Sequence, residues 1–258
     1  MGGRFDYSTS ERYRTVLHYN GTEWNKILEQ SSDYLYDIWG TADNGYFGVF
    51  AVGGKGAILH YDGLDWTDMQ SGTSEWLYSI WGSSPSDIFA AGGTGTILHY
   101  DGLSWAGMES GTSEHLRDVW GRSGADVFAV GESGIILHYD GSEWSDMESD
   151  TDKNLSAVWG TSGTHVFAVG DFGAVLRYDG AEWTASEITS EHLKDVRGIS
   201  GSSVFAVGDS GVIFHYNGRA WTGIPRGTHN HLKGLWGNSR SVFAVGDTGT
   251  VISVDIEK

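Results

Sequence analysis

Leu116-Arg117-Asp118-Val119-Trp120-Gly121, then Asp126-Val127-Phe128-Ala129-Val130-Gly131, then Ile135-Ile136-Leu137-His138-Tyr139-Asp140-Gly141-Ser142-Glu143-Trp144 is the stretch whose reading decides the fold. Short runs rich in Val, Ile, Phe and Tyr, separated by glycine-bearing turns, read as consecutive β-strands. The expected strands are A over 116–120, B over 126–130, C over 135–139, and D from Trp144 to near Glu148. Glu132-Ser133-Gly134 turns the chain between B and C, where glycine supplies a positive φ, and Asp140-Gly141 turns it between C and D.

The same stretch recurs along the chain. Its D-strand tryptophans are Trp24, Trp66, Trp105, Trp144, Trp183 and Trp221, at spacings of 42, 39, 39, 39 and 38 residues. The A-strand block Leu-x-x-Val/Ile-Trp-Gly places Trp39, Trp81, Trp120, Trp159 and Trp236 in register, with Arg197 in the remaining slot. Trp76 falls outside both columns. A period of ~40 residues with four strands per period is the signature of a propeller blade. No segment has a helical period, so the expected fold is all-β: a six-bladed β-propeller of four-stranded antiparallel blades.

Closing the repeats into a ring removes long sheet edges and explains apolar residues on both faces of strands A and B. The expected organisation is an N-terminal segment, 1–15, followed by one propeller domain, 16–258. The sixth blade is expected to be closed by strands from both termini, those near 232–256 joining the D strand near 23–30. Two stretches, 16–19 and 251–254, both read as strand C and compete for one slot.

Composition narrows function. With 39 Gly, 2 Pro, 12 Trp, 12 Tyr and 10 Phe the chain suits short strands over a layered aromatic core. A formal charge of −18, from 34 acidic and 16 basic residues, opposes phosphate backbones and anionic membranes, so nucleic acid is excluded as an expected partner. The absence of cysteine rules out disulfides and thiolate metal sites. No apolar run approaches the length of a membrane span, and membrane insertion is not expected. A complete chain would be expected in the cytoplasm; a fragment of a longer secreted protein would be extracellular or on the cell surface.

The turns such as Tyr61-Asp62-Gly63-Leu64-Asp65-Trp66 resemble the tail of the Asp-box of bacterial neuraminidase repeats and of photosystem II assembly-factor propellers. The resemblance implies a propeller of turn-stabilised blades and an interaction scaffold. Sialidase chemistry is not implied, because the tyrosines are repeat residues and the arginines are scattered. The order Val119-Trp120-Gly121, Asp126-Val127-Phe128, Glu143-Trp144-Ser145-Asp146-Met147-Glu148 is also similar to PLL-like and tectonin-type lectin propellers, which implies sugar binding between or on blades.

His18, His60, His99, His138 and His215 share one position in strand C, with Arg177 in another copy; a residue on nearly every blade reads as a structural slot. No catalytic residue, metal ligand set or cofactor is expected, and the one carboxylate in each Gly-Asp-x-Gly turn falls short of a calcium site. The variable column before strand A differs: Tyr34, Trp76, His115, Asn154, His192 and His231. Two positions on come Tyr36, Tyr78, Arg117, Ser156, Lys194 and Lys233. Divergence at a loop on a repetitive scaffold marks these residues, at the expected channel mouth, as candidate ligand contacts. The expected function is a non-enzymatic recognition module that binds glycan through aromatic and polar groups. The alternatives are a protein-interaction scaffold, or a recently amplified propeller with no evolved small-molecule ligand; an enzyme ranks last. A monomer is expected, with exchange of a terminal strand between copies left open.

Overall fold

In the computed structural model the protein is all-β, and residues 2–6, 11–19, 22–31, 34–43, 46–237 and 241–255 are described. Among them there is no α-helix, and so no helix long and apolar enough to cross a membrane. Two compact units form, Met1–Val119 and Trp120–Lys258.

In the first unit a three-stranded sheet (Gly2–Asp6, Glu11–Tyr19, Trp24–Ser31) precedes two four-stranded repeats. These are Leu35–Asp43, Tyr46–Gly53, Ile58–Tyr61, Trp66–Met69 and Leu77–Ser84, Asp87–Gly92, Ile97–Tyr100, Trp105–Met108. The third repeat opens with Leu116–Ser123, the strand in which the division falls, and continues as Asp126–Gly131, Ile136–Tyr139 and Trp144–Asp146. The second unit then contains Leu155–Ser162, His165–Gly170, Ala174–Tyr178, Trp183–Glu187 and Leu193–Ser200, Ser203–Gly208, Ile213–Tyr216, Trp221–Ile224. Its last sheet has three strands, Leu232–Gly237, Ser241–Gly246 and Val251–Asp255. Each four-stranded sheet runs A-B-C-D in sequence order.

Two expectations change here. The sheet expected to join both termini is replaced by two three-stranded sheets: Trp24–Ser31 pairs with Glu11–Tyr19, and Val251–Asp255 pairs with Ser241–Gly246. The two C-like stretches therefore do not compete, because each has its own partners in register. Strand A is also longer than expected and strand D of the third repeat shorter, ending at Asp146. The first copy of the C–D turn, Asn20-Gly21, and residue 256 lie outside the described residues.

Strand B is the centre of each repeat. Phe50, Phe89, Phe128 and Phe167 have no solvent exposure. In the first unit Phe50, Val52 and Ile58 pack with Leu77, Ile80, Ile88 and Leu98 of the next repeat. In the second, Phe167, Val169 and Val175 pack with Leu193, Val196 and Val204, and Phe205 and Val207 with Leu232, Leu235 and Val242. Each such sheet is covered by the repeat that follows it, so no face is left to be polar and the B strands lose the usual alternation.

Two local features aim the residues that precede strand A. A glycine ends strand B because the start of strand A runs directly against it: a Cβ on Gly92 would sit 2.1 Å from the Trp76 carbonyl oxygen. That carbonyl accepts the Gly93 N–H at 2.8 Å. The A–B register then slips between Leu35 and Asp37, Leu77 and Ser79, Leu155 and Ala157, Leu193 and Asp195, and Leu232 and Gly234. The extra residue in each slip is Tyr36, Tyr78, Ser156, Lys194 or Lys233, and a bulge of this kind redirects a side chain out of the pleat.

Candidate functional site

The chemistry of the repeat turns accounts for most of the tempting polar residues. Asp62 accepts the N–H groups of Leu64 (2.8 Å) and Asp65 (3.0 Å), and Asp101 those of Leu103 and Ser104 (both 2.9 Å). Asp140, Asp179 and Asn217 repeat the arrangement. These donors hold the carboxyls of Asp62, Asp101 and Asp179 below the ordinary aspartate range, and the Ser142 hydroxyl with two N–H groups brings Asp140 to about 2. Each is a turn fastener.

The histidine column is equally structural. Phe50–His60, Phe89–His99, Phe128–His138 and Phe205–His215 lie ring to ring at 4.5 Å. Nε2 of His99 meets Asp87 at 2.7 Å and that of His138 meets Asp126 at 2.9 Å. Burial lowers the pKa of His60 and of His215. Among the described residues no three His, Asp or Glu side chains gather to hold a metal ion.

The columns before strand A divide into two chemistries. In the first unit Trp76 stacks on Tyr36, with ring centroids 5.7 Å apart, and Tyr36 meets Tyr78 edge-on at 5.7 Å. Tyr78 continues to His115, edge-on at 6.2 Å, and carries the Arg117 guanidinium 4.7 Å above its ring. Nδ1 of His115 accepts the Thr94 N–H at 3.0 Å, which fixes the ring as a cap on the preceding turn. Thr94 needs that cap, since its φ is 49°. Tyr34 holds the Gly54 N–H through its carbonyl at 2.9 Å.

In the second unit the same columns are tied into pairs. Asn154 accepts the Ser133 N–H at 3.0 Å and donates to Asp171 at 2.9 Å. Asp171 also meets Nδ1 of His192 in the next repeat at 2.7 Å. Asp209 meets Lys194 of its own repeat at 3.3 Å and His231 of the next at 3.0 Å, and Lys233 pairs with Asp247. Asp171, Asp209 and Asp247 are thus bridges as well as turn residues, a role the sequence reading assigned to none of them. The signal was present as a fixed offset between the columns. Lys194 and Lys233 are neutralised within the fold, which argues against an anion held by them.

No family model matches the chain, and no curated protein matches it. Solved structures do. One described as YCF48 bound to D1 peptide superposes with a TM-score of 0.73 at 14% identity, covering 94% of this chain and 86% of that one. Sqt1 of Chaetomium thermophilum superposes with a TM-score of 0.74 at 12% identity, covering 95% of this chain and 76% of that one. At such identities the likeness shows the fold, and the chain is an all-β repeat protein with the β-propeller fold.

Proposed function

We propose that the chain is a non-enzymatic recognition module that docks a segment of a partner protein on the aromatic surface of its first unit. One observation carries this reading: Trp76 and Tyr36 are 40% and 39% exposed while stacked on one another, next to Tyr78 and Arg117. Trp, Tyr and Arg are the residues that dominate protein interfaces, because they bring large rigid area with a polar handle. A folded chain gains little from leaving two such rings exposed together. A protein of the same fold holds a peptide in YCF48 bound to D1 peptide, which supports the reading without naming a partner for this chain.

Peptides selected from a random library on the intact chain test the proposal. Trp76→Ala with Tyr36→Ala should weaken the selected peptides by about 30-fold or more, the loss of at least one hot spot of ~2 kcal/mol. Binding indifferent to both changes overturns it. Glycan binding is the second reading, favoured by the accessible Trp76 ring, which offers an aromatic face. A glycan array with no response at millimolar saccharide removes it.

A further inference from the structure

The link between the third and fourth repeats and the B–C turn of the fourth depart from their siblings at positions that meet around Lys153. Asp150, with φ 54°, stands where the first and second repeats have Gly72 and Gly111. Lys153 reverses the charge of Glu75, Glu114 and Glu191 at the equivalent place. Phe172, with φ 53° and 54% of its surface exposed, occupies the turn tip that is Lys55, Thr94, Ser133, Ser210 or Thr248 elsewhere. A bulky aromatic in the left-handed region, held out in water, is a combination that neither packing nor turn chemistry favours.

Asp150 and Lys153 line a cavity of about 370 Å³ with Glu187, over a floor that includes Ala174, Leu176 and Ala185. Ala174 and Leu176 are buried, so the floor is apolar and the rim is charged. Lys153 spans this rim. Its ammonium pairs with Glu187 and lies 5.9 Å above the Phe172 ring, whose centroid is 4.7 Å from that of the tilted His192 ring. The place is therefore built for a cation on an alkyl stem: apolar floor for the methylenes, carboxylate for the head, and an aromatic face beside it. The chain fills it with its own lysine.

We propose that this cavity receives a basic side chain, arginine or lysine, from a protein partner, and that Lys153 is the resident the partner displaces. Asp150 supplies a second carboxylate for the incoming head group, and arginine suits two carboxylates and an aromatic face better than lysine does. The net charge of −18 draws basic segments toward the chain. The proposal stands on the second unit alone and does not depend on the aromatic surface of the first.

The test uses a fluorescently labelled tri-arginine peptide and the intact chain, read by anisotropy at about 0.15 M salt. Lys153→Ala should tighten binding about fivefold, because the partner no longer competes with the resident ammonium. Asp150→Asn with Glu187→Gln should weaken it by about tenfold, and Phe172→Ala, which changes no charge, by about threefold. Asp65→Asn with Glu109→Gln, an equal loss of charge on exposed residues of the first unit, should change nothing, as should Trp76→Ala. Lys153→Ala that fails to tighten binding overturns the proposal. So does an equal weakening by Asp65→Asn with Glu109→Gln, which would reduce the effect to diffuse attraction, or a loss caused by Trp76→Ala. All of these substitutions are at exposed or half-exposed positions, and unchanged thermal unfolding separates loss of the site from loss of the fold.

Discussion

The indole of Trp76 lies against the ring of Tyr36 at 5.7 Å, with 26° between their planes. They belong to adjacent repeats, one just before strand A and the other at the strand A bulge, so the contact couples two blades at their surface. A double-mutant cycle over Tyr36→Ala and Trp76→Ala in urea unfolding should give a coupling of about 0.5–1.5 kcal/mol. Strict additivity would mean the rings are held separately by their own repeats.

The buried phenylalanine of strand B should behave differently. Phe89 has no exposure, lies 4.5 Å from His99 and is flanked by Trp81 at 6.3 Å. Phe89→Ala should cost about 3–5 kcal/mol, because the surrounding sheets cannot collapse into the space left behind. Calorimetry on the whole chain measures it; a loss below about 1 kcal/mol would contradict the packing described.

The turn carboxylates offer a pH-dependent test. Asp140 titrates at about 2 in the folded protein because the Ser142 hydroxyl and two backbone N–H groups favour its charged form. Its pKa is lowered from 3.8, so its contribution to stability is present above that value and disappears as pH falls toward 2. An NMR titration should place the Asp140 midpoint near 2, and Ser142→Ala should raise it. An Asp140 midpoint in the usual aspartate range would show that the turn does not hold its hydrogen bonds in solution.

The repeat, the strand type and the turn residues were legible in the sequence because each rests on local chemistry: the tryptophan column, the Asp-Gly turns, and the glycine that ends strand B. The terminal sheets were not, because strands such as Glu11–Tyr19 and Val251–Asp255 carry the same pattern and pattern alone does not choose partners. The candidate columns were found for a sound reason, their variation, yet their chemistry divided in a way the columns do not show. Tyr36 and Trp76 meet in space, whereas Lys194 and His231 are consumed by Asp209. Ion pairing between positions in different columns is a tertiary property, and the columns read one by one do not show it.

One alternation along strand A makes the last prediction. The position before the recurring aliphatic residue of strand A is Asp37, Ser79, Asp118, Ala157, Asp195 and Gly234 in successive repeats, acid and small residue in turn. In the first unit Asp37 accepts the Ile80 N–H at 2.9 Å and Asp118 accepts the Ser79 hydroxyl at 2.6 Å. In the second, Asp195 accepts its neighbour's Leu235 N–H at 2.6 Å. Each carboxylate therefore reaches an adjacent repeat, Asp37 and Asp195 the one that follows and Asp118 the one before, and the residue it meets at this position must be small and uncharged. A Cβ on Gly234 would lie 3.9 Å from the Asp195 carboxylate and 3.4 Å from Val245, so space for a side chain exists but not for a second charge. Gly234→Asp should destabilise the chain at neutral pH by about 1–3 kcal/mol, whereas Gly234→Ser should be nearly neutral. Like charges repel only while both are ionised, so the Gly234→Asp deficit should shrink as pH falls through the carboxylate range. A deficit that is the same at pH 7 and at pH 4 would assign the alternation to shape and not to charge.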